Sequence, residues 1–338
     1  MRPEDKLFLG RALQLACRAF PAEVEPNPPV GAVIAVGTEV LGEGYHRRYG
    51  GPHAEIEALA AVRDKERLPE ATLYVTLEPC CHTHKKTPPC VPAIVEAGIR
   101  RVVVGTIDPN PAVRGAGIAA LRAAGLSVEL AANPRPFRKL LRHFWVNLRH
   151  NRPYITLKWA QTAGPTGGFP FYGGWIGSRC VGKWPISGFW GQVWAHRLRA
   201  QHSHIAVGYR TWLLDKPALT TRLFPGGSPQ PLVFYMPAYP SPEEEPLPAY
   251  AWPLARLTEE SLSALYHAHR VGSLLVEGGA ATLNRFLAAG LYDEIHIIVS
   301  YAEQPLPPEP VWAPAWPALR WRRKRLSATE EVWFAHKK

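Results

Sequence analysis

The sequence predicts an α/β protein in two parts, each a sheet with helices packed on its faces. Three observations carry this. Short apolar runs rich in Val, Ile and Leu alternate along the chain with segments of helical apolar spacing. The length, 338 residues, is enough for about two domains. The composition also steps: eleven of the twelve tryptophans follow residue 150 and only Trp145 precedes it, which puts a boundary near residues 142–152.

In the first part, Leu7, Phe8, Ala12, Leu15, Ala16 and Ala19 have helical spacing. Residues 30–36 and 39–45 read as strands around a Gly37-Thr38 turn. A helix is predicted over 53–62, a strand over 71–76, and a helix over 90–97 that stops at Gly98, a residue suited to a left-handed cap. A strand at 101–106, a helix at 118–124 ending at Gly125, and a strand at 127–130 continue the alternation. In the second part, strands are predicted at 154–159, 204–207, 232–235, 273–276 and 294–299, with helices at 191–201 and 281–289. Nine prolines between residues 224 and 253 remove backbone donors and exclude regular helix, predicting an extended excursion. Residues 305–317 form a second proline-rich stretch.

Composition excludes several classes. With 46% hydrophobic and 20% charged residues the chain is globular rather than disordered. Its longest apolar stretch, residues 30–36, is far short of the ~18 residues a spanning helix needs, so no membrane partner is expected. Glu4 and Asp5 beside Arg2 and Lys6, then an apolar stripe broken by Arg11 and Arg18, make an amphipathic helix rather than a secretory leader. The expected location is therefore cytoplasmic. Five cysteines in so long a chain argue against a disulfide framework. Three of them, Cys80, Cys81 and Cys90, lie within eleven residues, which in a reducing compartment points to a metal. The net charge of +11, shared by both halves, suits nucleic acid or phosphorylated small molecules, and equally a solvated basic surface.

The chemistry concentrates in three short pieces: His53-Ala54-Glu55, Pro79-Cys80 after a strand, and Cys90. One His and two Cys supply three ligands of a tetrahedral zinc that keeps its fourth position for water. Zinc lowers the pKa of that water toward neutrality, and Glu55 is then the spare carboxyl that takes and returns a proton. Residues two apart on a helix face opposite ways, so His53 and Glu55 share a site only if His53 stands at the helix entrance. Gly50-Gly51-Pro52 makes such an entrance. His82 and His84 are neighbours rather than ligands, since three ligands are already assigned.

His-x-Glu, then Pro-Cys, then Cys is the signature of zinc nucleobase deaminases, whose common form closes with Cys-x-x-Cys. Here nine residues separate Cys80 from Cys90. The stretch Glu78-Pro79-Cys80-Cys81-His82-Thr83-His84-Lys85-Lys86-Thr87-Pro88-Pro89-Cys90 resembles the deaminase half of the RibD family of bifunctional riboflavin-biosynthesis enzymes. Pro26-Asn27-Pro28, Gly44-Tyr45-His46, Gly51-Pro52-His53-Ala54-Glu55 and Asp108-Pro109-Asn110-Pro111 match in family order. The resemblance implies a cytidine-deaminase-like three-layer domain over residues 1–145, with His53, Cys80 and Cys90 holding Zn2+ and Glu55 as the proton shuttle. It implies that Asn27, His46, Lys86, Asp108 and Asn110 hold the pyrimidine and its ribose phosphate. The family loop usually has eight residues between its cysteines, so Cys81 has the usual spacing and Cys80 the usual proline neighbour. Cys80 is preferred because Pro79 fixes the backbone at the strand end, and Cys81 is its competitor.

The second half resembles the reductase part of the same family, which implies a dihydrofolate-reductase-like fold over residues 151–338 and NADPH as cofactor. The matching pieces are Arg152-Pro153-Tyr154-Ile155-Thr156-Leu157-Lys158, His196-Arg197-Leu198-Arg199-Ala200, and Val276-Glu277-Gly278-Gly279-Ala280. Independently of the family, a strand running into Gly278-Gly279 and then a helix suits a phosphate at a helix N-terminus. By resemblance Trp184, Thr211, Asp215, Gly279, Ala280, Ala281 and Thr282 contact NADPH. Lys158, the catalytic candidate, meets the sugar-phosphate substrate with Arg199, Leu219, Arg222 and Glu277. Arg199 and Arg222 suit bidentate phosphate binding. The sequence also departs from the family: Thr162-Ala163-Gly164-Pro165 stands where Ser-Leu-Asp-Gly is usual, and Pro185 interrupts the motif at Trp184.

These readings predict a zinc-dependent deamination of a phosphorylated diaminopyrimidine followed by an NADPH-dependent reduction of its ribosyl group, in a homo-oligomer. One alternative is a deaminase whose second half is only a scaffold. Another is a base deaminase that binds nucleic acid through its basic surface, against which the long Cys80–Cys90 loop and Lys86-Thr87-Pro88-Pro89 speak. The run Arg320-Trp321-Arg322-Arg323-Lys324-Arg325 could bind single strands. The expected reading is a charged edge strand.

Overall fold

The computed structural model describes residues 2–81, 87–111, 113–164, 174–178, 186–235, 248, 250–253, 256–304 and 309–337. The chain divides into two compact units, Met1–His150 and Asn151–Lys338.

The first unit contains helices α1 (Pro3–Ala16) and α2 (Pro21–Val24), the hairpin β1 (Gly31–Val36) and β2 (Glu39–Tyr45), α3 (Ala54–Ala61), β3 (Thr72–Val75), α4 (Cys90–Glu96), β4 (Arg101–Val104), α5 (Ala116–Ala123) and β5 (Ser127–Leu130). Two helices close it, α6 (Arg135–Leu140) and α7 (Arg142–His150). The sheet order is β2-β1-β3-β4-β5, with β3, β4 and β5 parallel and β1 antiparallel to both its neighbours. Strand β1 is apolar at every position because helices cover both faces. Ala32 and Ile34 meet Ala54 and Ala58 of α3, Ile94 of α4 and Leu121 of α5. Val33 and Ala35 face the other way, toward Phe8, Leu9, Ala12 and Leu15 of α1. The expected three-layer architecture follows. Helix α7 occupies the boundary expected at residues 142–152, and α6, which no prediction covered, precedes it, with Phe137 and Leu141 buried.

One buried ionic cluster ties this unit together. Asp5 of α1 is completely buried, and Arg101 of β4 donates to both its oxygens at 2.8 Å. Tyr74 of β3 donates to Asp5 at 3.1 Å, and Arg101 also donates to Glu129 of β5 at 2.7 Å. Burial alone would raise the Asp5 carboxyl, but hydrogen bonds from Arg101, the Arg2 backbone and Tyr74 outweigh it and hold the pKa at about 2.

The second unit contains β6 (Tyr154–Thr162), β7 (Trp175–Ser178), α8 (Phe189–Ala200), β8 (His204–Gly208), α9 (Tyr209–Asp215), β9 (Gln230–Tyr235), β10 (Ala251–Pro253) and α10 (Glu259–His269). It continues with β11 (Ser273–Val276), α11 (Ala280–Ala289), β12 (Glu294–Ser300), β13 (Pro310–Trp312), β14 (Arg322–Arg325) and β15 (Glu330–His336). The main sheet runs β10-β9-β8-β11-β6-β12-β15-β14, parallel as far as β12, and β7 pairs separately with β13. Leu262 and Leu265 of α10 pack with Leu283 and Phe286 of α11 over one set of strand residues. Leu198 of α8 packs with Ile205, Val233 and Leu275 on another.

Three local outcomes differ from the sequence reading or refine it. Helix α10 was not predicted, because its N-terminal box pairs Thr258 with Ser261 rather than with the usual acidic residue. The proline-rich excursion carries two paired strands, β9 and β10, while residues 236–247 lie outside the described residues. The basic run forms β14, fully exposed at the sheet edge against β15, as the edge-strand reading expects. Part of the tryptophan excess is core: Trp159 and Trp316 both donate to the Gln161 side-chain carbonyl, at 2.9 and 3.0 Å.

Candidate functional site

In the first unit the metal-ligand candidates and Glu55 arrive from three places: the start of α3, the segment after β3 and the start of α4. His53 is the N-cap of α3 with extended backbone, which frees its ring from the helix face and lets Glu55, one residue inside, turn to the same place. Cys80 follows β3, and Cys90 opens α4, its backbone N–H donating to the Cys80 carbonyl at 3.0 Å. The ligand atoms of His53, Cys80 and Cys90 lie within 4.8 Å of one another. His53 Nδ1 stands 3.5 Å from Cys80 Sγ and 3.3 Å from Cys90 Sγ. A tetrahedral zinc with Zn–N and Zn–S bonds of the usual lengths separates such atoms by about 3.6 Å. The donor set and its spacing therefore fit that ion. Cys81 is half-buried and outside this group. Burial, and then the charge of Cys80, push the buried Glu55 carboxyl above its ordinary pKa, the state of a group able to hold a proton.

His53, Cys80 and Glu55 line a cavity of about 370 Å3 together with Asn27, His46, Asp108 and Asn110. His46 is buried, with Nδ1 2.9 Å from the Pro52 carbonyl and Nε2 3.0 Å from the Asn27 amide nitrogen. A carbonyl only accepts, so Nδ1 carries a proton and, in the neutral ring, Nε2 accepts from Asn27. Asp108 and Asn110 sit on a turn in which Asp108 Oδ1 accepts from the Asn110 backbone at 2.8 Å. Burial pushes the Asp108 carboxyl up to about 6, against that hydrogen bond and with help from Glu78 and Cys80. Lys86, the expected phosphate partner, lies outside the described residues, as do His82 and His84.

Sequence reasoning missed Glu78, which the structure makes central. Its buried carboxylate accepts backbone N–H groups from Asp108 and Gly115 at 3.0 Å, Gly117 at 2.9 Å and Ile118 at 3.2 Å. It caps the N-terminus of α5 and fixes the Asp108 turn beside the metal ligands. The approach is close: a Cβ on Gly117 would fall 1.9 Å from the Pro79 carbonyl oxygen. The available signal was a glutamate directly before Pro79-Cys80. Phe144 of α7 also lines the cavity and carried no local signal.

In the second unit Lys158, midway along β6, meets Arg199 near the end of α8 and Glu277 just after β11. Glu277 accepts from Arg199 at 3.0 and 2.8 Å and lies 3.7 Å from Lys158. Burial opposes its charge, but Lys158 and Arg199 hold Glu277 below the usual carboxylate range. Burial lowers Lys158 despite Glu277. Arg199 thus directs its fork at Glu277, with Nη1 on the Thr220 carbonyl at 2.9 Å, and not at an open phosphate position. Arg222 reaches Thr220 Oγ1, and its backbone N–H donates to His196 Nδ1 at 2.8 Å. Burial, then Arg199 and Arg222, push His196 down to about 4, so its ring is neutral and its proton sits on Nε2. Leu219 is buried with a left-handed φ of 52° at this turn.

Gly279, at φ 64°, caps α11, which Ala280, Ala281 and Thr282 open. A Cβ on Gly279 would stand 2.8 Å from Thr211 Oγ1, and one on Gly208 would stand 2.5 Å from Thr282 Oγ1. The glycines leave a backbone cradle between two hydroxyls at a helix N-terminus, which fits a nucleotide phosphate. Asp215 ends α9, and Trp184 lies outside the described residues.

A three-layer unit presenting a His/Cys/Cys centre, joined in one chain to a parallel-sheet unit with a glycine cradle, defines a two-domain deaminase and nucleotide-dependent reductase. Residues 2–106 match the "Cytidine and deoxycytidylate deaminase zinc-binding region", and residues 153–300 match the "RibD C-terminal domain". The riboflavin biosynthesis protein RibD of Aquifex aeolicus is 35% identical, over 89% of this chain and 88% of that protein. Among solved structures, Acinetobacter baumannii RibD is 25% identical, with a TM-score of 0.81 over 98% of both chains. The Thermotoga maritima diaminohydroxyphosphoribosylaminopyrimidine deaminase/5-amino-6-(5-phosphoribosylamino)uracil reductase is 30% identical, with a TM-score of 0.77 over 98% of both chains. The chain belongs to the RibD family of bifunctional riboflavin-biosynthesis enzymes.

Proposed function

We propose that residues 1–145 deaminate 2,5-diamino-6-(5-phosphoribosylamino)pyrimidin-4(3H)-one and residues 151–338 reduce the ribosyl group of the product, 5-amino-6-(5-phosphoribosylamino)uracil, with NADPH. The observation that carries this is the grouping of His53, Cys80 and Cys90, of which His53 and Cys80 line, with Glu55, a cavity that Asn27, His46, Asp108 and Asn110 also line. His53, Cys80 and Cys90 would hold a zinc there, which would supply an activated water for attack on the ring carbon. Glu55 takes the proton from that water and returns it to the departing amino group, which leaves as ammonia. Asn27 and His46, locked to each other, present amide and imidazole edges to the pyrimidine. In the second unit Thr211, Thr282 and the Gly279 backbone would hold the cofactor's phosphates, and NADPH would supply the hydride. Lys158 supplies the accompanying proton, with Glu277 and Arg199 fixing its place.

Among the described residues no helix is long and apolar enough to cross a membrane. A cytoplasmic location and a homo-oligomer belong to the same reading. A second reading, deaminase only, is favoured by one observation: Thr162-Ala163-Gly164 at the end of β6 carries no acid where the family has one.

The test follows ammonia release and NADPH oxidation separately in zinc-loaded protein given the diaminopyrimidine phosphate, with Glu55→Gln as control. Both signals, with ammonia lost in the variant, are expected. Ammonia without NADPH oxidation selects the second reading. With zinc bound, no ammonia from this substrate rejects the assignment.

A further inference from the structure

We infer that Thr87 is the positioning residue for the metal ligand His53: its hydroxyl accepts the Nε2 proton and so keeps the Nδ1 lone pair aimed between Cys80 and Cys90. The inference rests on the zinc reading of that centre. His53 Nε2 lies 3.1 Å from Thr87 Oγ1, while Nδ1 is the nitrogen that faces both sulfurs, at 3.5 and 3.3 Å. A ligating nitrogen has no proton, so the neutral ring must carry its proton on Nε2 and needs an acceptor there. Thr87 is that acceptor.

The local sequence explains why a threonine on a loop can do this. Pro88 restricts Thr87 to extended backbone, and Thr87 is stiff at χ1 because it is β-branched. Pro89, at φ −66° and ψ 147°, is the N-cap of α4, and Cys90 is the first helical residue. One rigid tetrapeptide, Thr87-Pro88-Pro89-Cys90, therefore carries both a metal ligand and the group that orients another ligand. On another side of the ring, His46 packs edge-on at 5.4 Å with an interplanar angle of 70° and is itself held by Pro52 and Asn27. A hydroxyl can accept while donating elsewhere, so Thr87 takes the Nε2 proton of a neutral ring without adding a charge beside the metal ligands.

The experiment compares full-length wild type, Thr87→Val and Thr87→Ser for zinc affinity by competition with a chromophoric chelator. Co2+-loaded protein is compared by its visible spectrum. Val keeps the shape and loses the hydroxyl, and its zinc affinity is expected to fall about 10–100-fold with an altered Co2+ spectrum. Ser should restore both. Far-ultraviolet circular dichroism and urea unfolding of the zinc-free chains report that the variants are folded. Thr87→Val with wild-type affinity, or Thr87→Ser as weak as Thr87→Val, would overturn the inference while leaving the metal reading intact. A wild-type chain that holds no zinc would overturn both.

Discussion

The two units treat the ionisable residues of their candidate sites in opposite ways. In the first, the Glu78 carboxylate accepts from four backbone N–H groups and so sets the shape of the turn that carries Asp108 and Asn110, while His53, Cys80 and Glu55 line one cavity and Cys90 groups with the first two. In the second, Lys158, Arg199 and Glu277 close on one another, and Arg222 is drawn to Thr220 and His196. The lesson is about what a ligand must do. The first site is organised before substrate arrives, with its shape held by main-chain bonds. The second holds its charges in internal pairs, so a sugar phosphate must exchange partners with Glu277 or use the edges those pairs leave.

The largest effect that separates the units is catalytic. Glu55→Gln keeps the size of the side chain and removes the proton carrier, so ammonia release should fall by about 10^2–10^4-fold. Zinc content and NADPH oxidation with pre-deaminated substrate should stay unchanged. A parallel loss of NADPH oxidation would break the claim that the two chemistries occupy separate units.

The next effect falls on the second unit alone. Glu277→Gln leaves the cations of Lys158 and Arg199 without their shared buried carboxylate. Removing one member of a buried charge pair costs about 3–5 kcal/mol. The unit should unfold at lower urea and lose NADPH oxidation, while ammonia release persists below that transition. Unchanged unfolding would show that solvent, rather than Glu277, neutralises the two cations.

The comparison also explains what was legible. The zinc site could be read because its ligands are rare residue types at fixed spacing beside strand and helix ends; His53-Ala54-Glu55 and Pro79-Cys80 carry their chemistry locally. Glu78 was hidden because its partners, Asp108 and the turn Gly115–Ile118, are brought to it only by the parallel pairing of β3 and β4. Strand β1, buried on both faces, was visible as a continuous apolar run, and β12 as the apolar stretch Ile297–Val299. Strand β15 was not, since Glu330 and Glu331 open it, although Glu330 turns inward to accept from Gly188 at the start of α8 at 2.7 Å. In the second unit Arg199 looked like a phosphate fork because a sequence cannot show that Glu277 lies opposite it.

A smaller effect concerns stability of the first unit. Asp5 is held at about 2 in the folded state against an ordinary 3.8, so its contribution is complete above about pH 4 and is lost as pH falls toward 2. A shift of that size corresponds to about 2 kcal/mol. Urea unfolding between about pH 6 and pH 2 should show that loss in the wild type. Asp5→Asn should be less stable at neutral pH and show a flatter acid limb. An unchanged acid limb would move the sensitivity elsewhere, for example to the Glu277 cluster, whose carboxyl is also held low.

The smallest effect tests the basic edge of the second unit. In β14, Arg323 lies over the Trp333 ring at 5.7 Å and Lys324 over Trp194 at 5.5 Å, while all four strand residues are exposed. Exposed cation–π contacts contribute about 0.5–1 kcal/mol each. Replacing Arg323 and Lys324 with Thr should therefore cost at most about 2 kcal/mol and leave both activities intact. What should change is association. Cations on an edge strand oppose pairing with another sheet, so light scattering of the double variant should report more self-association than the wild type. The same proteins mixed with single-stranded RNA decide the remaining question about the charge. A wild-type affinity that falls steeply with salt, and disappears in the double variant, would make the edge a nucleic-acid contact instead. Binding absent in both leaves the charge as a guard on an open sheet edge, which is a role the first unit gives to no comparable run of residues.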